Sequence, residues 1–217
     1  MQRALLWIFA VSLIGGAAMV MIELNTSAPV DSLGLALAVD ALGEARWSKG
    51  GADAKIIITE FSDFQCPACG VYHPIVKKVA EELGDQVRFS YRHFPLKELH
   101  KNAVLAAKAS EAAGAQGKFW EMHDMLFDNQ AIWSDSSGPA SIFSNYAVAI
   151  GLDPVKFKLD LNSQDIANKV SGDYALGTAL QVYSTPTFFI NNIKLNRNPR
   201  SYEEFKSIID KLLSENL

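Results

Sequence analysis

Hydrophobic positions divide this chain into an apolar head, a polar connector, and a long stretch where strand-like and helix-like periods alternate. Residues Ala4 to Ile22 carry no charge, with Arg3 ahead of them and Glu23 behind. These 19 residues approach the roughly 20 that a helix needs to cross a bilayer's hydrocarbon core. The positive flank comes first, so the rule that keeps Lys and Arg cytoplasmic puts the rest of the chain outside the cytoplasm. A cleaved signal peptide is the competing reading, because Gly16-Ala17-Ala18 supplies small residues where a signal peptidase cuts. Both readings export the domain. Residues 1–23 are therefore expected to be an anchor or signal segment, with 4–22 holding the chain to an inner membrane and the domain in a periplasm or cell envelope.

Residues 24–47 read as a linker, broken by Asn25, Thr26, Ser27, Pro29 and Asp31, with a possible amphipathic helix from Leu35 to Trp47. Ser48 to Asp53 reads as a turn. The apolar run Lys55–Phe61 is a strand, and Val71, Ile75, Val76, Val79 and Leu83 recur at helical spacing after it. Gln86–Arg92 alternates as a half-buried strand does. From Leu96 to Leu180 helical patterns dominate: Asn102–Ala113, Lys118–Asn129, Ser141–Ile150, Pro154–Leu161 and Gln164–Leu180. Asp153-Pro154 marks a helix start, with Asp153 as cap and Pro154 supplying a pre-set φ. Strands resume at Thr187–Ile190, turn at Asn191-Asn192 and return through Ile193–Leu195. Ser201-Tyr202-Glu203-Glu204 opens a last helix as a capping box. The order is α/β, a thioredoxin-like core (β-α-β, then β-β-α) over 48–217, interrupted by a helical insertion at about 97–181.

Composition narrows the partners. A chain of 217 residues with net charge −4 has no clustered Lys and Arg for a phosphate backbone, so nucleic acid is excluded as a partner.

The chemistry is concentrated in two cysteines, Cys66-Pro67-Ala68-Cys69, at the junction of the first strand and helix. Thiol–disulfide exchange requires a thiolate. A helix start stabilises negative charge through its unpaired N–H groups and dipole, so Cys66 is the expected attacking sulfur. Cys69, one turn further in, is expected to be buried and to resolve the mixed disulfide, while Pro67 and Ala68 tune the redox pair. A zinc site is the weaker reading, because it usually wants four ligands and only His73 lies near the two cysteines. A structural clip would close too small a loop to stabilise much, and a copper carrier would show a longer cysteine spacing. No metal and no cofactor is expected beyond the redox-active disulfide itself.

Ser184-Thr185-Pro186-Thr187 enters a strand where proline marks an edge, a turn or a cis bond. Thr185-Pro186 is read as a cis peptide facing the cysteines and offering a backbone edge to an extended substrate. Glu60, six residues before Cys66, is expected to lie beneath the cysteines with a raised pKa, able to take the proton of Cys69. His73 is expected on the surface and His123 in a packing role. Phe119, Trp120, Met122, Leu126 and Phe127 are read mainly as core of the insertion.

With Ile58–Cys69, Arg92-His93-Phe94-Pro95-Leu96, Gln116–His123 and Ser184–Asn191 in view, the chain resembles the DsbA-like family of thioredoxin-fold disulfide oxidoreductases. The resemblance covers roughly residues 48–215. It implies an enzyme that oxidises thiols of exported proteins and is itself reoxidised by a membrane quinone-linked partner. Ala68 stands where the best-known pattern has His, and Thr185 where it has Val. Thr at that place also occurs in isomerase-type relatives, so an isomerase or a thiol reductant is the alternative. A peptide-binding chaperone module with idle cysteines is the alternative of another class.

Overall fold

The computed structural model describes Leu42 and residues 45–215. The expected anchor at 1–23 and nearly all of the 24–47 connector, including most of its possible helix, lie outside the described residues. Among the described residues no helix is long and apolar enough to cross a membrane.

Among the described residues five strands and eight helices follow one another: β1 Trp47–Gly50, β2 Ile56–Ser62, α1 Pro67–Glu82, β3 Val87–His93, α2 Ala103–Gly114, α3 Phe119–Asp128, α4 Gln130–Trp133, α5 Pro139–Ala149, α6 Pro154–Leu161, α7 Gln164–Ala179, β4 Thr187–Ile190, β5 Ile193–Lys194 and α8 Tyr202–Glu215. The strands form one sheet in the order β1-β3-β2-β4-β5. β2 runs parallel to β3 and antiparallel to β4, and β1 and β5 are antiparallel edges. A parallel pair needs a helical crossover, which α1 supplies. The expected core and helical insertion are therefore observed.

Alternation along β2 sorts its side chains by face. Ile56 and Ile58 join Val76 and Val79 of α1 and Phe205 and Ile209 of α8 in the core. Glu60, in phase with them, lies on the same face, under α1. Phe61, out of phase, faces α7, where a Cβ added to Gly177 would lie 2.6 Å from a ring carbon of Phe94 and 3.0 Å from one of Phe61. A side chain there would push α7 off the sheet, which is why glycine occupies the crossing.

Three expectations are corrected. Trp47–Gly50, read as a helix end and a turn, is strand β1, because Trp47 stacks on Phe119 at 4.3 Å and donates its indole N–H to Glu111 at 2.6 Å. β3 is not half-buried: Val87 and Phe89–His93 are all buried, since it lies inside the sheet with helices on both faces. Its charge is paired, Arg92 donating to Asp173 of α7 at 3.0 Å. His73 is not on the surface but 6% exposed, stacked on Phe127. The expected His123 packing is observed, its ring edge-on to Phe64, Tyr91 and Phe127. The helix α4 was not expected at all. At α8 Ser201 Oγ accepts from Glu204 N, while the Glu204 carboxylate reaches back to Arg200 N, one residue beyond the expected box partner.

Candidate active site

Cys66 is the N-cap of α1, with extended backbone (φ −70°, ψ 121°), and Pro67 occupies the first helical position. Proline has no N–H to leave unpaired there, so the first free donors are those of Ala68 and Cys69. Cys66 is 7% exposed and Cys69 fully buried, both as free thiols. The Thr185-Pro186 peptide is cis, and Cys66 Sγ donates to the Thr185 carbonyl at 3.4 Å.

The two thiols are pushed in opposite directions. The hydrogen bond from the Cys69 thiol is the largest influence on Cys66. With the Thr185 side chain and the N–H groups of Cys69 and Ala68 it outweighs burial and lowers the Cys66 pKa from 9.0 to about 5. Burial, the same thiol pair and the charge of Glu60 hold Cys69 well above 9.0. Such separation assigns one anion and one proton reservoir.

Glu60 is 2% exposed, and burial raises its carboxyl from 4.5 to about 7 although Ser62 Oγ donates to it at 2.7 Å. It belongs to the charges that act on both sulfurs. A group titrating near neutrality can exchange a proton in either direction at little cost.

Sequence reading did not find the residues that mount the cysteines. Asp63 is buried and accepts from Gln65 N at 2.8 Å, Leu96 N at 2.9 Å and His100 Nδ1 at 2.7 Å. Gln65 ties the loop to the insertion, accepting from Asn102 N and donating to the Ser134 carbonyl. Gln130, from the unexpected α4, donates to the carbonyls of Phe64 at 2.7 Å and Cys66 at 3.0 Å. A Cβ on Gly70 would come within 2.8 Å of the Gln130 side chain. Asp63 and Gln65 could have been suspected from their place in the loop before Cys66. Nothing in the sequence pointed to Gln130.

Two grooves border the neighbours of Cys66, one at Pro186 and one at Gln65 and Pro67. One is polar and lined by Tyr183, Ser184, Pro186, Thr187 and Asn198. The other lies toward the insertion and is lined by Gln65, Pro67, Leu99, Gln130 and Ala131. Leu99 and Tyr183 are 77% and 79% exposed, so each groove carries an apolar surface able to meet a polypeptide.

A depressed thiol pKa gives a defined pH dependence. The charge of Cys66 stabilises the reduced fold fully above pH 9 and is lost as the pH falls through about 5. Stability of the reduced protein relative to the oxidised one should therefore rise between pH 5 and 9. Alkylation of Cys66 by iodoacetamide should show an inflection near pH 5; one near the ordinary thiol value of about 8.5 would contradict the geometry.

A polarised dithiol at a helix start, opposite a cis-proline on a thioredoxin-type sheet, defines the class of thioredoxin-fold thiol:disulfide oxidoreductases. A family model described as Thioredoxin matches residues 44–211, and the chain belongs to that family, as a DsbA-like member with an oxidoreductase's active site. The oxidised crystal structure of BdbD from Bacillus subtilis is 28% identical, with TM-score 0.68 over 77% of this chain and 92% of that one. α-DsbA1 from Wolbachia pipientis shares the fold, with TM-score 0.68 and 23% identity over 77% of this chain and 90% of that one. The Na+/H+ antiporter NhaA 1 of Mycolicibacterium vanbaalenii is 36% identical over 170 residues, which are 76% of this chain. The match spans only 26% of the antiporter, so ion transport is said of that whole protein alone.

Proposed function

We propose that the chain introduces or exchanges disulfides in exported proteins through the Cys66–Cys69 pair. The observation that carries this reading is the opposed ionisation of the two thiols, Cys66 at about 5 and Cys69 above 9.0. In the oxidised state a substrate thiolate attacks Cys66 Sγ, and Cys69 leaves. The second substrate thiolate then attacks the substrate sulfur of the mixed disulfide, releasing the Cys66 thiolate and carrying two electrons into the pair. Cys69, displaced as a thiolate with a pKa held above 9.0, takes up a proton from the neutral Glu60 carboxyl, which is reprotonated from solvent. Glu60 takes that proton when the pair is reoxidised, and Thr185-Pro186 presents the backbone edge that aligns the substrate. The uncharged run at 4–22 supports attachment to an inner membrane, with the domain in the periplasm or cell envelope and a quinone-linked membrane protein as reoxidant.

The pKa of Cys66 sets the direction of exchange. Lowering it from 9.0 to about 5 stabilises the dithiol at pH 7 by about 3 kcal/mol, or about 60 mV for two electrons. We expect a potential between thioredoxin's about −270 mV and DsbA's about −120 mV, near −200 mV. Equilibration with a glutathione buffer measures it. A value at or below about −270 mV would replace the oxidase with a reductant.

A further inference from the structure

Four side chains converge where the active-site helix α1 meets the insertion helix α3. His73 lies on α1, one turn past Cys69, and His123, Asp124 and Asp128 lie on α3. Asp124 and Asp128 are four apart, so helical geometry stacks them on one face. Both imidazoles are buried, at 6% and 2% exposed. The carboxylates open outward, with side chains 26% and 61% exposed. The cluster is thus closed at its imidazole end and reachable at its acid end.

Three of these side chains approach the spacing of a coordination polyhedron, and Asp128 stands beside His73 at its open edge. His73 Nε2 lies 3.4 Å from Asp128 Oδ1 and 3.8 Å from Asp124 Oδ1, and His123 Nδ1 lies 3.0 Å from Asp124 Oδ1. One ligand atom each from His73, His123 and Asp124 falls within 4.8 Å of the others. A tetrahedral ion with bonds of 2.0–2.1 Å has ligand–ligand edges of about 3.3–3.4 Å. The measured edges of 3.0, 3.4 and 3.8 Å straddle that value.

A second observation is independent of spacing. His73 Nε2, the ring nitrogen turned to both carboxylates, is buried without a hydrogen-bond partner. Buried polar atoms are rarely left so, and a bound ion or water is the usual account. Lys77 Nζ holds Asp124 Oδ2 at 2.7 Å, leaving Oδ1 turned to the imidazoles. An outer-shell donor orients a ligating carboxylate in this way. The positive charges of Lys77 and of Lys49, which sits over Trp120, oppose a cation, while the two carboxylates attract it.

We propose that His73, His123, Asp124 and Asp128 bind one divalent transition ion of the zinc class, joining the active-site helix to the insertion helix α3. Two imidazoles and two carboxylates suit Zn2+, Co2+ or Ni2+; Ca2+ and Mg2+ prefer all-oxygen shells, and Cu(I) prefers sulfur. The ion would fix His73, and with it the helix that carries both cysteines.

The test uses the oxidised protein, in which Cys66 and Cys69 are bonded to each other and cannot ligate. Titration with Co2+ should give one equivalent of visible d–d absorption, without a thiolate charge-transfer band, and Zn2+ should displace it. Asp128→Asn, at an exposed position, should weaken binding at least tenfold, and His73→Gln should remove it. Zn2+ should also raise the melting temperature of the wild type, reversed by chelator, and leave His73→Gln unmoved. No visible band at millimolar Co2+, or a band unchanged in Asp128→Asn, would overturn the site. Neither readout depends on thiol exchange, so this result is separable from the proposed function.

Discussion

Replacing Cys66 with Ser is expected to abolish thiol–disulfide exchange while leaving the fold intact. Serine is close in size, and the position is an N-cap, where Ser is favoured. Cys69 cannot take over. It is fully buried, and with a pKa above 9.0 it is thiolate to less than about 1% at pH 7. Oxidation of a model dithiol peptide should therefore fall to the uncatalysed rate. Cys69→Ser should separate the half-reactions: Cys66 still attacks substrate disulfides, but no second thiol resolves the product, so mixed disulfides accumulate through Cys66. Exchange surviving in Cys66→Ser would refute the role assignment. Full suppression of aggregation by that variant, with exchange lost, would favour the peptide-binding module.

The second large effect is on stability. Asp173 on α7 accepts from Arg92 at 3.0 Å and from the backbone of His93 at 3.2 Å, and both side chains of this pair are under 10% exposed. Removing one member of a buried pair leaves the other charge desolvated, at a cost of about 3–5 kcal/mol. Asp173→Ala should lose stability on that scale, read as a fall in the urea midpoint. Asp173→Asn should lose less, because an amide oxygen can still accept from His93 N. A loss under about 1 kcal/mol would mean that the pair behaves as a surface contact and does not bind the insertion to the sheet.

How far the sequence could be read depended on whether a feature is local. The order of strands and helices is local in origin, since periods of 2 and 3.6 are written directly in the apolar positions. Pro154–Leu161 was legible to the residue because Asp153 accepts from Val155 N and Lys156 N, a cap whose partners are its neighbours. The same holds for Cys66 at the start of α1. Strand β1 was missed because its reason is distant: it pairs with β3 and stacks Trp47 on Phe119. His73 was misplaced because its burial comes from α3, fifty residues on. Gln130 was invisible because a glutamine on a four-residue helix has no periodicity to betray its reach to the Cys66 carbonyl.

The chemistry of the cysteines divides in the same way. A dithiol three positions apart at a strand-to-helix junction, an approaching Glu60 and a remote Thr185-Pro186 already determined the reaction class, because each requirement is a residue type at a spacing. Tertiary structure decided the rest. A pKa is set by what surrounds a group, and the neighbours that separate Cys66 from Cys69 come from β2, the start of α1 and the loop before β4. Only the fold brings those segments, more than 100 residues apart in the chain, to one pair of sulfurs.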